Sequence, residues 1–477
     1  MASVLTTTVQ YQTINNYGAW VKAWQDHRQS GYESILLTGD QESLMAWLLN
    51  RDNGDILALH HRVELSTKLG PPPSHFGIEE TLMSEHWLAR DWSELGWEIS
   101  DPSSARGKGL FIYPLGPVRA DVSESLLYQL IVMGDEIVHV RLKNGFKHRH
   151  VREIVRGRTV QEAMPVVSVF TMTSTVHHSL AMALAVENAW GIDIPLAVNV
   201  TRTLMAELER TMSHLGDLAA LAVSTGLPVP QMQYLHLKEQ VLRVNYGLFG
   251  HRYMKGAIIP GGVTTALWSE DPRLSEAQGV IEQVLHQSTR IAHDLEHTTS
   301  FLDRLHGAGV VPKSTLETVR PVGPVGRATG LEIDVRLIRP YGAYHDLKPK
   351  TYTLASADSY ARFRIRTQEL RQSLTLVLEL LTRWDPSLVP RITQHQERVD
   401  FLPKQPWGIG LVEAPRGLLA YGVRLNQDTG RIAHLSVATP SQRNWMAYAP
   451  AMANGNILQD FPIIDASFSL SVAGLDG

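Results

Sequence analysis

The residues best placed to do chemistry are histidines and paired charges. His293-Asp294-Leu295-Glu296-His297 fits the H-x-x-E-H pattern of inverted zinc hydrolases, with two histidines one helical turn apart and His286 available on the same face as a third ligand. The surrounding helix is polar and charged throughout, so a solvated face is the simpler account. His148-Arg149-His150 and His177-His178 have no carboxylate or cysteine at ligand spacing and read as hydrogen-bonded structural groups. Glu207, Arg210, His214 and Asp217 recur three or four residues apart. Such a stripe is either a solvated row of helix ion pairs or a buried ionisable track, and only tertiary context separates the two. The chain has no cysteine, so it holds no thiolate-ligated metal, disulfide or redox thiol of its own. No phosphate-binding loop and no G-x-S-x-G elbow occurs. The glycine-dense run Gly323-Pro324-Val325-Gly326-Arg327-Ala328-Thr329-Gly330 reads as a rigid turn.

Helical periodicity supplies the elements that would hold these groups. Long helices are expected at about 173–190, 198–225, 230–254, 274–306 and 355–384. Each exceeds the usual ~10–14 residues, which points to a bundle. On the second of them Leu204, Leu208, Leu215, Ala219 and Ala222 share one face. Leu126–Val132 and Ile137–Leu142 flank Gly134-Asp135 and read as a hairpin. Before them the chain looks mixed α/β, with strands at Glu33–Thr38 and Ile56–Val63 and a short helix at Gln41–Asn50. A break follows at Gly70-Pro71-Pro72-Pro73, then a tryptophan-rich run from Trp87 to Trp97. The polar stretch Ser100–Lys108 marks a domain boundary. Residues 405–476 return to short extended pieces with turns.

Composition narrows the class. The 477 residues carry a net charge of −4, with a pI near 6.6, and are 44% hydrophobic, enough for a sizeable core. Near-neutral charge argues against a nucleic-acid partner. No run of about 20 apolar residues occurs that could span a membrane. The first ten residues lack the basic and apolar regions of an export signal, so the cytoplasm is the expected compartment.

Several segments, taken in order, resemble one family. They are Gly116-Pro117 before the hairpin, Gly145-Phe146-Lys147-His148-Arg149, the run Ala185 to Ile192, and Glu207 through Arg210 to His214-Leu215. Gly323-Pro324 with Arg327 and Gly330, Asp334 with Arg336, the run Asp358 to Leu374, and Glu413-Ala414-Pro415-Arg416-Gly417 complete the set. Together they resemble the large subunit of group 4 membrane-bound nickel–iron hydrogenases of formate hydrogenlyase type. That family is homologous to the 49 kDa (D-type) subunit of respiratory complex I. Trp87 to Leu95 is similar to a signature of the 30 kDa (C-type) complex I subunit, with Ala89 in place of its first acid.

The resemblance implies an α+β chain. A small α/β domain over 1–104 would precede a mainly helical domain of large-subunit type over 105–477 that carries a β-hairpin and short C-terminal strands. It also implies where function is altered. The four metal-binding cysteines fall at Thr171, Ser174 and near Ser471 and Gly474, and hydroxyls do not replace thiolates for a soft metal centre. The quinone head-group tyrosine falls at Met172, and the histidine loop at Arg119 to Ser123, which has no histidine. Arg416 matches the arginine over the nickel, and Glu124 a hairpin-loop glutamate on the proton route. Glu124, Arg416, Thr171 and Ser174 are therefore the expected site, with Met172, His177 and Ser471 around a candidate quinone cavity. Arg416 is expected to pair with Glu124 or another nearby carboxylate. The expected protein is an oxidoreductase subunit, not itself a hydrogenase, on the inner face of the cell membrane. It is expected to bind no metal. Its expected partners are an iron–sulfur small subunit and antiporter-like membrane subunits, and a quinone is the candidate acceptor. A non-catalytic scaffold is the alternative.

Overall fold

The computed structural model describes residues 9–14, 17–30, 32–39, 43–50, 55–62, 109–119, 125–146, 149–171, 173–264, 272–382 and 402–475. Near the N-terminus, β1 (Val9–Thr13), α1 (Tyr17–Gln29), β2 (Tyr32–Gly39), β3 (Ser43–Asn50) and β4 (Ile56–Arg62) make a sheet of order β1-β4-β3-β2. Only the β1–β4 pair is parallel. β3 replaces the helix expected at Gln41–Asn50. The run Ala46-Trp47-Leu48-Leu49 is apolar without alternation because the sheet is covered on both sides, and periodicity cannot distinguish such a strand from a buried helix. Leu48, Leu57 and Leu59 pack under Trp20 and Trp24 of α1, while Trp47, Leu49, Ile56 and Ala58 face Trp407, Ile409 and Leu418. The N-terminal strands thus share a core with the C-terminal sheet. The segments Gly70–Pro73, Trp87–Trp97 and the boundary at Ser100–Lys108 lie outside the described residues.

The hairpin forms as expected. β6 (Leu127–Met133) and β7 (Glu136–Lys143) turn through Gly134, and β5 (Leu110–Leu115) adds an antiparallel edge. Tyr128, Leu130, Val132, Ile137 and Val140 pack against Trp445 and Tyr448.

Five long helices carry the rest: α2 (Thr175–Trp190), α3 (Leu196–Ser224), α4 (Pro228–Phe249), α5 (Pro272–Glu296) and α6 (Ser359–Thr382). The helix expected over 274–306 breaks after Glu296 and resumes at Thr299–Leu305. α3 is the axis. Its Leu204, Leu208, Leu215 and Leu218 are buried in one cluster with Leu237 and Val241 of α4, Ile281 and Val284 of α5, and Leu370, Leu374 and Val377 of α6. The glycine-dense run forms a short helix, Gly323–Arg327, with Pro324 in its first turn where no amide is needed. The C-terminal stretch is extended only as β8 (Trp407–Ala414), β9 (Gly417–Leu425) and β10 (Ile432–Ala438). It ends in α7 (Pro440–Met452) and α8 (Phe461–Phe468).

β8 reaches α2 through glycine. A Cβ on Gly410 would lie 1.9 Å from the Ala181 carbonyl oxygen, and one on Gly408 2.0 Å from that of Ala185. This backbone-on-backbone approach fixes α2 against the sheet. Gly410→Ala is expected to cost on the order of 3 kcal/mol, because neither backbone can yield. Gly279→Ala, in α5 with nothing near its Cβ, should be neutral or stabilising. Equal urea midpoints for the two variants would contradict this account.

Candidate functional site

The charged stripe of α3 is not solvated. Glu207, Arg210 and His214 are fully buried and Asp217 is 6% exposed. Buried charges survive only when paired, and here the pairs come from four other segments. Arg336 donates to Asp334 at 2.7 Å and to Glu207 at 3.2 Å, and the Tyr344 hydroxyl donates to Glu207 at 2.5 Å. Arg327 joins Glu369 of α6 at 2.7 Å to Glu413 of β8 at 2.9 Å. His214 Nε2 lies 3.1 Å from Glu369, and Arg210 donates to the carbonyls of Ala414 and Glu413. A continuous polar track therefore runs from Tyr344 to His214 inside an apolar bundle. Burial alone would raise the Glu207 pKa, but Arg210 and Arg336 overcome it and hold it at about 2. Glu369 is likewise depressed by Arg327 and His214 against burial.

Asp217 extends the track to Arg416. The Arg416 guanidinium donates from Nη2 to Asp217 at 3.1 Å, from Nη1 to the Thr173 hydroxyl at 3.0 Å, and from Nε to the Ser469 carbonyl. Arg366 of α6 reaches the same carboxylate at 3.5 Å and donates to the Phe468 carbonyl at 3.0 Å. Arg416 is held in place from behind. Gly323 has φ +61, and a Cβ there would sit 2.2 Å from the Arg416 carbonyl oxygen. Only glycine satisfies both conditions.

One residue thus bridges the two segments onto which the resemblance maps the family's metal thiolates. Thr173 lies between Thr171 and Ser174, and Ser469 lies two positions before Ser471. The partners differ in detail from those expected. The carboxylate on Arg416 is Asp217, and the hydroxyl is that of Thr173, while Thr171 and Ser174 are buried beside it. Glu124 and Met172 lie outside the described residues. Ser471 serves the C-terminal turn, its hydroxyl accepting from the Gly474 amide at 3.1 Å and its amide donating to Ser441 at 3.0 Å. His177 is sealed in a pair with Glu209 at 2.5 Å. Glu209 also accepts the amides of Val176 and His177 at the start of α2. The donor set around Arg416 is a guanidinium, hydroxyls and a carbonyl, which does not fit a soft nickel–iron centre.

The H-x-x-E-H segment does not form a zinc site. His297 Nδ1 bonds the His293 carbonyl at 2.7 Å, Glu296 pairs with Arg364 at 2.5 Å, and the His293 side chain is 69% exposed. Among the described residues no group of three or more histidines and carboxylates could hold a metal ion.

His178 adds a pH-sensitive element beside the site. It stacks on Phe170 and its Nδ1 lies 2.7 Å from the Tyr421 hydroxyl. Burial, with a contribution from His177, pushes its pKa from 6.5 down to about 3. Burial lowers His177 and His214 too. A histidine whose folded pKa lies below its unfolded one stabilises the fold above the unfolded value, and that stability is lost as pH falls. Loss should therefore begin below pH 6.5, before the depressed carboxylates begin to titrate. His178→Gln should flatten the fall in urea midpoint between about pH 7 and about pH 5. A wild-type midpoint constant across that range would refute the assignment.

Residues 225–407 match the respiratory-chain NADH dehydrogenase 49 kDa subunit family. The D-type subunit of the NADH-quinone oxidoreductase of Saccharopolyspora erythraea is 27% identical over 428 residues, covering 81% of this chain and 92% of that protein. The alpha subunit of the membrane-bound hydrogenase of Pyrococcus furiosus is 28% identical over 367 residues, covering 74% and 84% respectively. The carbon monoxide-induced hydrogenase of Rhodospirillum rubrum is 25% identical over 357 residues, covering 74% and 96%. In fold, the chain is similar to one from a membrane-bound sulfane sulfur reductase, an archaeal respiratory membrane complex. The TM-score is 0.72 at 22% identity, over 78% of this chain and 99% of that one.

Proposed function

We propose that this chain, which carries a 49 kDa-subunit family domain and is homologous to both D-type quinone oxidoreductase subunits and membrane-bound hydrogenase large subunits, is the large subunit of a respiratory membrane oxidoreductase without a nickel–iron site. Electrons arrive from an iron–sulfur partner subunit and leave to an acceptor at the Arg416 site, for which a quinone is the candidate. The observation that carries this reading is the Arg416–Asp217 pair joining the two former thiolate segments and continuing into the buried track of α3. Arg416 can stabilise negative charge that develops on a reduced acceptor, and His214, 3.1 Å from Glu369, is the candidate proton carrier behind it. Among the described residues no helix is long and apolar enough to cross a membrane. We assign membrane attachment to antiporter-like partners, with this chain on the cytoplasmic side.

A scaffold role is the second reading, favoured by one observation: three Arg416 nitrogens are already engaged within the chain. The test is purification of the tagged chain from detergent-solubilised membranes. The oxidoreductase reading expects an iron–sulfur chromophore to copurify and the dithionite-reduced complex to reduce a short-chain quinone. A complex with the chromophore but no reoxidation by any quinone favours the scaffold.

A further inference from the structure

We infer that the Arg416 site binds a small oxyanion. The inference names the ligand class of the same site, and so rests on that site's being open to a ligand. Three cations converge on one carboxylate. Arg416 and Arg366 lie 3.1 and 3.5 Å from Asp217. Lys238 of α4 brings its ammonium over the adjacent Gly216, where a Cβ would lie 2.9 Å from Nζ. Lys238 also feels both Asp217 and Arg416 electrostatically.

The excess is local. Deeper in the track, Arg210, Arg327 and Arg336 face Glu207, Asp334, Glu369 and Glu413, so that end needs no further anion. The inner group has one carboxylate in excess, and its Glu369 acts on Arg366, so at the outer end Arg416 and Lys238 share Asp217 and one positive charge remains. Hydrogen-bond capacity remains as well. A guanidinium has five N–H groups, and Arg416 uses three, leaving one on each Nη. Lys238 has no hydrogen bond or ion pair to any described residue. Arg366 Nε, in a side chain 2% exposed, faces Asp217 only at the long distance of 3.5 Å. Arg416 is 13% exposed and Thr173 lies at the surface, so the cluster opens to solvent.

A neutral quinone offers acceptors but does not offset the remaining charge, whereas an oxyanion does both.

Equilibrium dialysis of the full chain with radiolabelled sulfate, in chloride at constant ionic strength, tests this without any electron donor. One saturable site per chain is expected. Lys238→Met should weaken it by about tenfold or more, and Asp217→Asn should tighten it by removing a competing anion. Absence of a saturable site, or equal affinity in wild type and Lys238→Met, overturns the proposal. If Asp217→Asn fails to fold, Lys238→Met alone decides. Sulfate binding without quinone reduction would count against the electron-transfer reading and leave this one standing. Quinone reduction without sulfate binding would do the reverse.

Discussion

Arg327→Met is expected to lower the stability of the chain by about 3–5 kcal/mol, the largest structural effect of any single change at this site. Arg327 is 1% exposed and lies 2.7 Å from Glu369, 2.9 Å from Glu413 and 3.6 Å from Asp334. It also donates to the Ile333 carbonyl at 2.8 Å. Methionine fills comparable volume but leaves three carboxylates in an apolar interior with too few counter-charges. The pH dependence should carry the same signature. In the wild type, Arg327 and His214 overcome burial and depress the Glu369 pKa. A carboxylate with a depressed folded pKa stabilises above its unfolded value and loses that contribution as pH falls. Without Arg327 that contribution is absent at neutral pH, so the gap between variant and wild type should narrow on acidification. Adding Glu413→Gln to Arg327→Met should recover part of the loss. An unfolding free energy within about 0.5 kcal/mol of wild type would mean the track is solvated.

The sequence reveals the positions of these groups better than their partners. Glu207, Arg210, His214 and Asp217 stand at helical spacing, so their common face is legible. Their burial is not, because a salt-bridged solvated helix has the same spacing. What buries them is tertiary: Glu369 and Arg366 arrive from α6 and Glu413 from β8, at separations no local pattern encodes. The run Asp358 to Leu374 does show arginine and glutamate at three- and four-residue intervals, a signal that could pair α6 with α3. Arg416 is legible through the family resemblance, and so is its need for a carboxylate. That the carboxylate is Asp217 depends on tertiary packing, in which the Gly323 backbone lies against that of Arg416 and Gly417. β3 reads as a helix because Trp47 and Leu48 face two different layers, and an uninterrupted apolar run names no period.

Arg416→Met should reduce acceptor turnover in the assembled complex by roughly two orders of magnitude or more, the scale seen when one preorganised charge donor is removed from a site where negative charge develops. Stability should fall far less than for Arg327→Met. Arg416 is 13% exposed, and Asp217 keeps Arg366 at 3.5 Å when Arg416 is lost. Arg416→Lys should not restore turnover. One ammonium cannot reach Thr173, the Ser469 carbonyl and Asp217 together, whereas a planar guanidinium does. The pair of measurements separates the two readings of the protein. If the site receives electrons, turnover collapses while subunit composition and thermal midpoint hold near wild type. If Arg416 only clasps Thr173 and Ser469, Arg416→Met should loosen the chain between them and shed partner subunits, with no turnover to lose in either form. Wild-type turnover in Arg416→Met with intact assembly would remove Arg416 from the electron path and move the acceptor elsewhere in the complex.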